Sequence, residues 1–163
     1  MGGHDEAPVW LAKLLEDHGR ALVLYARQWC DCPEDVVQQA LFDLVRQRQQ
    51  PQHVVAWLYR AARNGAISAS RQQQRRRRRE TVAATSEMVF EAGGGQIDAQ
   101  EAAEALAALS IELREVVVAR IWGELTFAEI AELTGTSLST AQRRYEQGIR
   151  VLQARLENPC GKD

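Results

Sequence analysis

The chain has 163 residues, 45% of them hydrophobic and 26% charged, which suits one compact domain or two small ones and excludes a large multidomain enzyme. No apolar run approaches the ~20 residues needed to cross a bilayer, and the opening MGGHDEAPVW carries acidic residues where a secretory leader needs positive charge, so a cytoplasmic protein without membrane contact is expected. The formal net charge of −2 gives no global field toward a polyanion, so any nucleic-acid contact must be local.

Three cysteines, two of them at Cys30 and Cys32, suit neither a disulfide framework nor a four-ligand zinc site. Reduced thiols, with no metal and no cofactor, are expected.

From Val9 to Trp29 the residues Trp10, Leu11, Leu14, Leu15, Leu22, Val23 and Ala26 recur at helical spacing, with Gly19 as a point of bending or splitting. Pro33 then suits a first helical turn whose dipole Glu34 and Asp35 complement. Val36, Val37, Ala40, Leu41, Leu44 and Val45 give this second helix one apolar face, ending near Gln49. Pro51 opens a third, long helix that runs into the arginine cluster.

That third helix divides into two faces. Placed at 100° intervals, Val55, Leu58, Ala61, Ala62, Gly65, Ala66 and Ala69 form a small-residue face for close packing. Almost opposite run Trp57, Arg60, Asn64, Ser68, Arg71 and Arg75, a line that joins an indole, an amide, a hydroxyl and three guanidinium groups. Bases stack on indoles and arginines neutralise backbones, so the line fits a single strand of nucleic acid. The alternative is a core-rim tryptophan beside solvated arginines.

Charge then changes sign. Arg60 to Arg79 holds eight arginines and no acid, whereas Glu80 to Glu104 holds only acidic charges and includes Gly93, Gly94 and Gly95. A polyanion contact therefore belongs to the first block, and residues 81–97 are expected to link an N-terminal domain, 1–80, to a C-terminal one, 98–163. The fold class is all-α, since no strand pattern competes.

In the C-terminal part, Thr126 and Glu129 match a capping box, Gly135 stands where a tight turn needs a left-handed residue, and Ser137 can cap the helix that follows. Leu138, Ala141, Tyr145, Ile149, Leu152 and Leu156 line one side of that helix. Ser139, Thr140, Arg143, Gln147 and Arg150 are left on the other, as in the recognition helix of a helix-turn-helix, able to meet base edges and phosphates in a major groove. A plain helical hairpin is the competing structure. No nucleophile and base group together, and GGGQID lacks the lysine and hydroxyl of a phosphate loop, so an enzyme is not expected.

The segments PEDVVQQALFDLV, AWLYRAARNGAI with its arginine cluster, and LREVVVARIWGELTFAEIAELTGTSLSTAQRR follow one another as they do in extracytoplasmic-function sigma factors of bacterial RNA polymerase, which the chain resembles over nearly its whole length. The resemblance implies one domain that grips core polymerase and opens the minus-ten element, and another that reads the minus-35 element as duplex. Asp35, Gln38, Leu41 and Phe42 stand where the family docks on the largest-subunit coiled coil. Trp57, Arg60 and Asn64 match its promoter-melting motif, with Ser68 and Arg71 in the minus-ten reading stretch. Ser139, Thr140, Gln142, Arg143 and Arg144 match its minus-35 recognition helix. Core RNA polymerase and promoter DNA, duplex and melted, are the implied partners of a free monomer, and an anti-sigma factor is left open as a third. The loop QRQQPQH is shorter than the family's and lacks its aromatic and glycine residues, which motivates an alternative: a stand-alone DNA-binding regulator, or a sigma-like decoy without initiation activity.

Overall fold

The helical periodicities translate into α1 (Val9–Ala26), α2 (Pro33–Val45) and α3 (Val54–Glu80), followed by α4 (Ile111–Ile121), α5 (Phe127–Thr134) and α6 (Leu138–Glu157). The computed structural model describes residues 9–80 and 104–157, and every regular element among them is helical, including one turn at 104–107. The expected linker, 81–97, lies outside the described residues.

The first helix is continuous through Gly19 and does not split there. Leu15 lies over the glycine, so that a Cβ at position 19 would stand 2.9 Å from Leu15 Cδ1. Pro33 occupies the first turn of α2 with Glu34 and Asp35 beside it, as expected. The helix stops at Val45, before Gln49, because the residues that follow, RQRQQ, offer nothing apolar to bury. Likewise α3 starts at Val54, not Pro51, its first turn closed by the Trp57 amide donating to the His53 carbonyl at 3.0 Å. It then runs unbroken for 27 residues, about 40 Å, through the arginine cluster.

Leu22, Tyr25 and Ala26 of α1, Val37, Ala40 and Leu44 of α2, and Leu58, Ala62 and Ala66 of α3 form the interior of one three-helix body. This is the small-residue face expected on α3. Trp10 and Leu15, counted with the apolar pattern of α1, are exposed.

In the second body, four consecutive residues of α4, Val116 to Ala119, are buried, so this helix is covered on all sides rather than along one stripe. α6 crosses it closely at Gly148, where a Cβ would meet Val117 Cγ2 at 2.6 Å. Buried Arg114 donates to the Ala107 and Leu109 carbonyls, both at 2.9 Å, satisfying the end of the turn before α4.

The corner between α5 and α6 follows the expected chemistry. The Glu129 amide donates to Thr126 Oγ1 at 3.3 Å and the Thr126 amide to Glu129 Oε2 at 2.8 Å, a complete capping box. Gly135 has φ 66°, in the left-handed region, and Ser137 Oγ accepts from the Thr140 amide at 3.2 Å. The apolar line of α6 begins at Ala141 rather than Leu138, which is 49% exposed.

The two bodies touch. α1 packs against α4 and α3 against α5, and the buried side chains of both bodies form one continuous cluster.

Candidate nucleic-acid and partner interfaces

Because Leu58, Ala62 and Ala66 face inward, the opposite line of α3 faces out. Arg60, Asn64, Ser68, Arg71 and Arg75 are exposed, and Trp57 is half-buried, its ring packed against the edge of the core. The six residues fall within about 80° of one another on the helix. The polar side chains are therefore open to solvent, and the indole is held by packing without being sealed in.

Beyond this line the arginine run supplies positive charge. Asp31, in the turn between α1 and α2, accepts from Gln73 Nε2 at 2.8 Å and pairs with Arg77 at 3.5 Å, tying that turn to α3. Nearby Cys30 is buried, and burial is the main reason its thiol is pushed up to about 11. It stays protonated at neutral pH, as a structural thiol does.

On α6, Ser139, Gln142, Arg143 and Gln147 are exposed along one side, with Glu146 among them. Ser139 and Thr140 share a hydroxyl cluster with Ser137, at 3.1 and 2.8 Å from its Oγ. Arg144 is half-buried and departs from that side. Its charge reaches Glu112 at the start of α4, whose carboxyl is held below the usual range first by its own backbone amide, then by the Ser110 hydroxyl, and then by Arg144.

A third surface lies on α2, where Asp35, Gln38 and Phe42 are exposed, Phe42 by 53%, and Leu41 is half-buried. An exposed phenylalanine beside an acid and an amide makes a small apolar patch with a polar rim, the composition of a protein-docking surface. Among the described residues no group of three or more His, Cys, Asp or Glu side chains could hold a metal ion, and no helix is long and apolar enough to cross a membrane.

Sequence reasoning missed a fourth feature, the seam between the bodies. Glu115 of α4, buried apart from 6% of its side chain, accepts from the Tyr25 hydroxyl at 2.7 Å and from Arg63 Nε at 2.6 Å on the same Oε1. Tyr25 packs at a tilt against Tyr59 and edge-on to Trp29, with ring centroids 4.8 and 5.0 Å away, while the Arg63 guanidinium stands 5.7 Å from the Trp29 ring. Burial, and then the Glu115 charge, raise the Tyr25 hydroxyl well above its ordinary value. Burial lowers Arg63, but the Glu115 hydrogen bond and charge outweigh it and leave the guanidinium above its usual value.

Around that centre Arg60 pairs with Glu132 at 3.3 Å, and His53 Nδ1 lies 3.6 Å from Glu129. One signal for the seam was present in the sequence. In IELREVVVARI two adjacent charges interrupt an apolar stretch that no single helical face accounts for, so partners were required on more than one side.

Residues 14–76 match the family described as Sigma-70 region 2, and residues 99–152 match Sigma-70, region 4. Among solved structures the chain is similar to the sigma factor RpoE, crystallised with the anti-sigma factor NepR from Bartonella quintana, at 24% identity and a TM-score of 0.72, covering 90% of this chain and 96% of that one. It is also similar to CnrH, solved in complex with the cytosolic domain of CnrY, at 22% identity and a TM-score of 0.56, covering 90% of this chain and 87% of the other. A search of curated proteins finds no match.

Proposed function

The chain belongs to the sigma-70 family of RNA polymerase sigma factors, and we propose that it is one of the extracytoplasmic-function type that directs promoter recognition, its surfaces dividing the work. Residues 1–80 and 98–163 act as separate domains joined by 81–97. The α2 patch of Asp35, Gln38, Leu41 and Phe42 docks on core polymerase, with Phe42 as the apolar anchor.

The outer line of α3 takes the melted strand. Trp57 offers a face on which a base stacks, Asn64 and Ser68 meet base edges, and Arg60, Arg71 and Arg75 neutralise phosphates. On α6, Ser139, Thr140, Gln142, Arg143, Arg144 and Gln147 read the minus-35 element as duplex. The observation that carries this reading is the outward placement of the whole polar line of α3 while its small-residue face packs inward.

The free chain binds DNA weakly. Each neutralised duplex phosphate contributes a salt slope of only about −0.9, and the acidic residues between Glu80 and Glu104 oppose the arginines. Core polymerase supplies the remaining contacts. The protein works in the cytoplasm, has no chemistry of its own, and is open to control by an anti-sigma factor.

Run-off transcription with purified core polymerase tests the assignment. Wild type directs initiation from its promoter. Trp57→Ala with Asn64→Ala abolishes opening and leaves core binding intact, whereas Phe42→Ala weakens core binding. Duplex binding without any affinity for core would instead favour the stand-alone regulator that the short 46–53 loop suggests.

A further inference from the structure

The turn between α1 and α2 carries two thiols that neither the DNA-facing nor the polymerase-facing surface uses. Cys30 is buried, its Sγ 3.7 Å from the Ala26 carbonyl oxygen, and Cys32 is exposed. Two residues of chain span at most ~7 Å, so the Cα atoms of Cys30 and Cys32 lie within reach of a disulfide. Their side chains already interact. Cys32 is also the N-cap of α2 without making a side-chain cap bond, so modifying its sulfur removes no capping contact.

The exposed thiol opens onto a basic cavity. A space of about 600 Å³ lies between this turn and the last turns of α3, lined among others by Cys32, Asp31, Gln72, Arg75, Arg76 and Arg79. The acids beside Cys32 are engaged elsewhere, Asp31 with Gln73 and Arg77, and Glu34 with Arg27 at 3.2 Å. Arg75, Arg76 and Arg79 form no ion pair among the described residues. With the N-terminal end of the α2 dipole, they surround the sulfur with positive charge. A reagent that carries carboxylates is drawn into such a cavity and held there by charge-assisted hydrogen bonds from the guanidiniums.

We propose that Cys32 is a thiolation site for anionic small-molecule disulfides, with Arg75, Arg76 and Arg79 holding the carboxylates of the reagent and Cys30 as the resolving thiol. Cys32 gives its proton to solvent, and the thiolate attacks one sulfur of the reagent. A bond forms between Cys32 and that sulfur as the reagent's S–S bond breaks, and the departing thiolate takes up a proton. Cys30, covered and protonated at first, acts second. It loses its proton to solvent and attacks the Cys32 sulfur, expelling the remaining half of the reagent as a thiol and leaving a Cys30–Cys32 disulfide. The protein dithiol is oxidised, and the reagent is reduced to two thiols. Arg75 also belongs to the outer line of α3, so an adduct that occupies it withdraws a cation from the nucleic-acid surface. That consequence rests on the sigma-factor reading above; the thiol chemistry does not.

Mass mapping of the full chain carrying Cys160→Ser, treated at low ionic strength with anionic oxidised glutathione or with cationic cystamine, tests the site. The rate at Cys32 with oxidised glutathione, relative to cystamine, should be roughly tenfold higher in this parent than in the same chain with Arg75→Ala, Arg76→Ala and Arg79→Ala, and added salt should shrink the difference. Cys30→Ser should accumulate the mixed disulfide at Cys32, the parent should pass on to the intramolecular disulfide, and Cys32→Ser should stay reduced. Equal reagent preference in the parent and the triple variant overturns the proposal, as does modification of Cys30 in Cys32→Ser. If Cys30→Ser does not fold, the comparison of parent and triple variant still decides. In run-off transcription with core polymerase, the oxidised parent should initiate less than the reduced one and recover with dithiothreitol; undiminished initiation overturns the link to α3. A reduced parent that never initiates would refute the sigma function and leave the thiolation site standing.

Discussion

The contacts inside the two bodies and the contacts between them are made of different material. Within the bodies the interior is apolar, with Leu22, Leu44 and Leu58 in one and Val116, Val117 and Ile130 in the other almost wholly buried. Between them the apolar interior continues, but there a tyrosine cluster also meets carboxylates that are paired with arginines and a histidine. Apolar burial is lost only by unfolding, whereas polar contacts exchange for water or for another charged partner at small net cost. The difference separates what keeps each body folded from what sets the distance between bodies.

Substitutions on each side of this divide should behave differently. The largest effect is expected from Leu58→Ala, which leaves a cavity at the centre of the N-terminal body and should cost about 2 to 5 kcal/mol, read as a lowered midpoint of global denaturant unfolding. Glu115→Ala removes the acceptor of the buried Tyr25 hydroxyl and of the half-buried Arg63 guanidinium and should cost the closed arrangement about 2 to 3 kcal/mol. Its signature differs, because hydrogen exchange should rise along α1 and α4 at the seam while each body keeps its protection. A uniform loss of protection would place Glu115 with the folding core instead.

Thr126→Ala should cost about 1 kcal/mol by removing the capping box, with faster exchange in the first turn of α5. The smallest effect is alkaline. The Tyr25 hydroxyl is raised in the folded protein above its unfolded value near 10, so its contribution is complete below about pH 10 and is lost as pH rises beyond it. Urea midpoints measured from pH 8 to 11 should be flat and then fall, and Tyr25→Phe should flatten that fall.

Much of the fold was legible in the chain because it is local. The α3 face of Leu58, Ala62 and Ala66 follows from helical period, and the Thr126, Glu129, Gly135 and Ser137 corner from capping and left-handed turn chemistry, each settled by residues within a few positions of one another. The outward line from Arg60 to Arg75 was legible for the same reason. Where the reading departed from the structure, the cause was what lay across space. Gly19 is a packing site under Leu15 and not a break, and Trp10, Leu15 and Leu138 are exposed although their spacing is apolar.

The amino-acid order alone determined the helical segments, the caps of the Thr126 to Ser137 corner and which side of α3 faces inward, since period, propensity and turn chemistry act over a few residues. Only the tertiary structure decided that Tyr25 and Arg63, the latter 52 positions from Glu115, both donate to one carboxylate oxygen of Glu115. Such a meeting depends on how two completed bodies pack, and no local regularity of the chain encodes it.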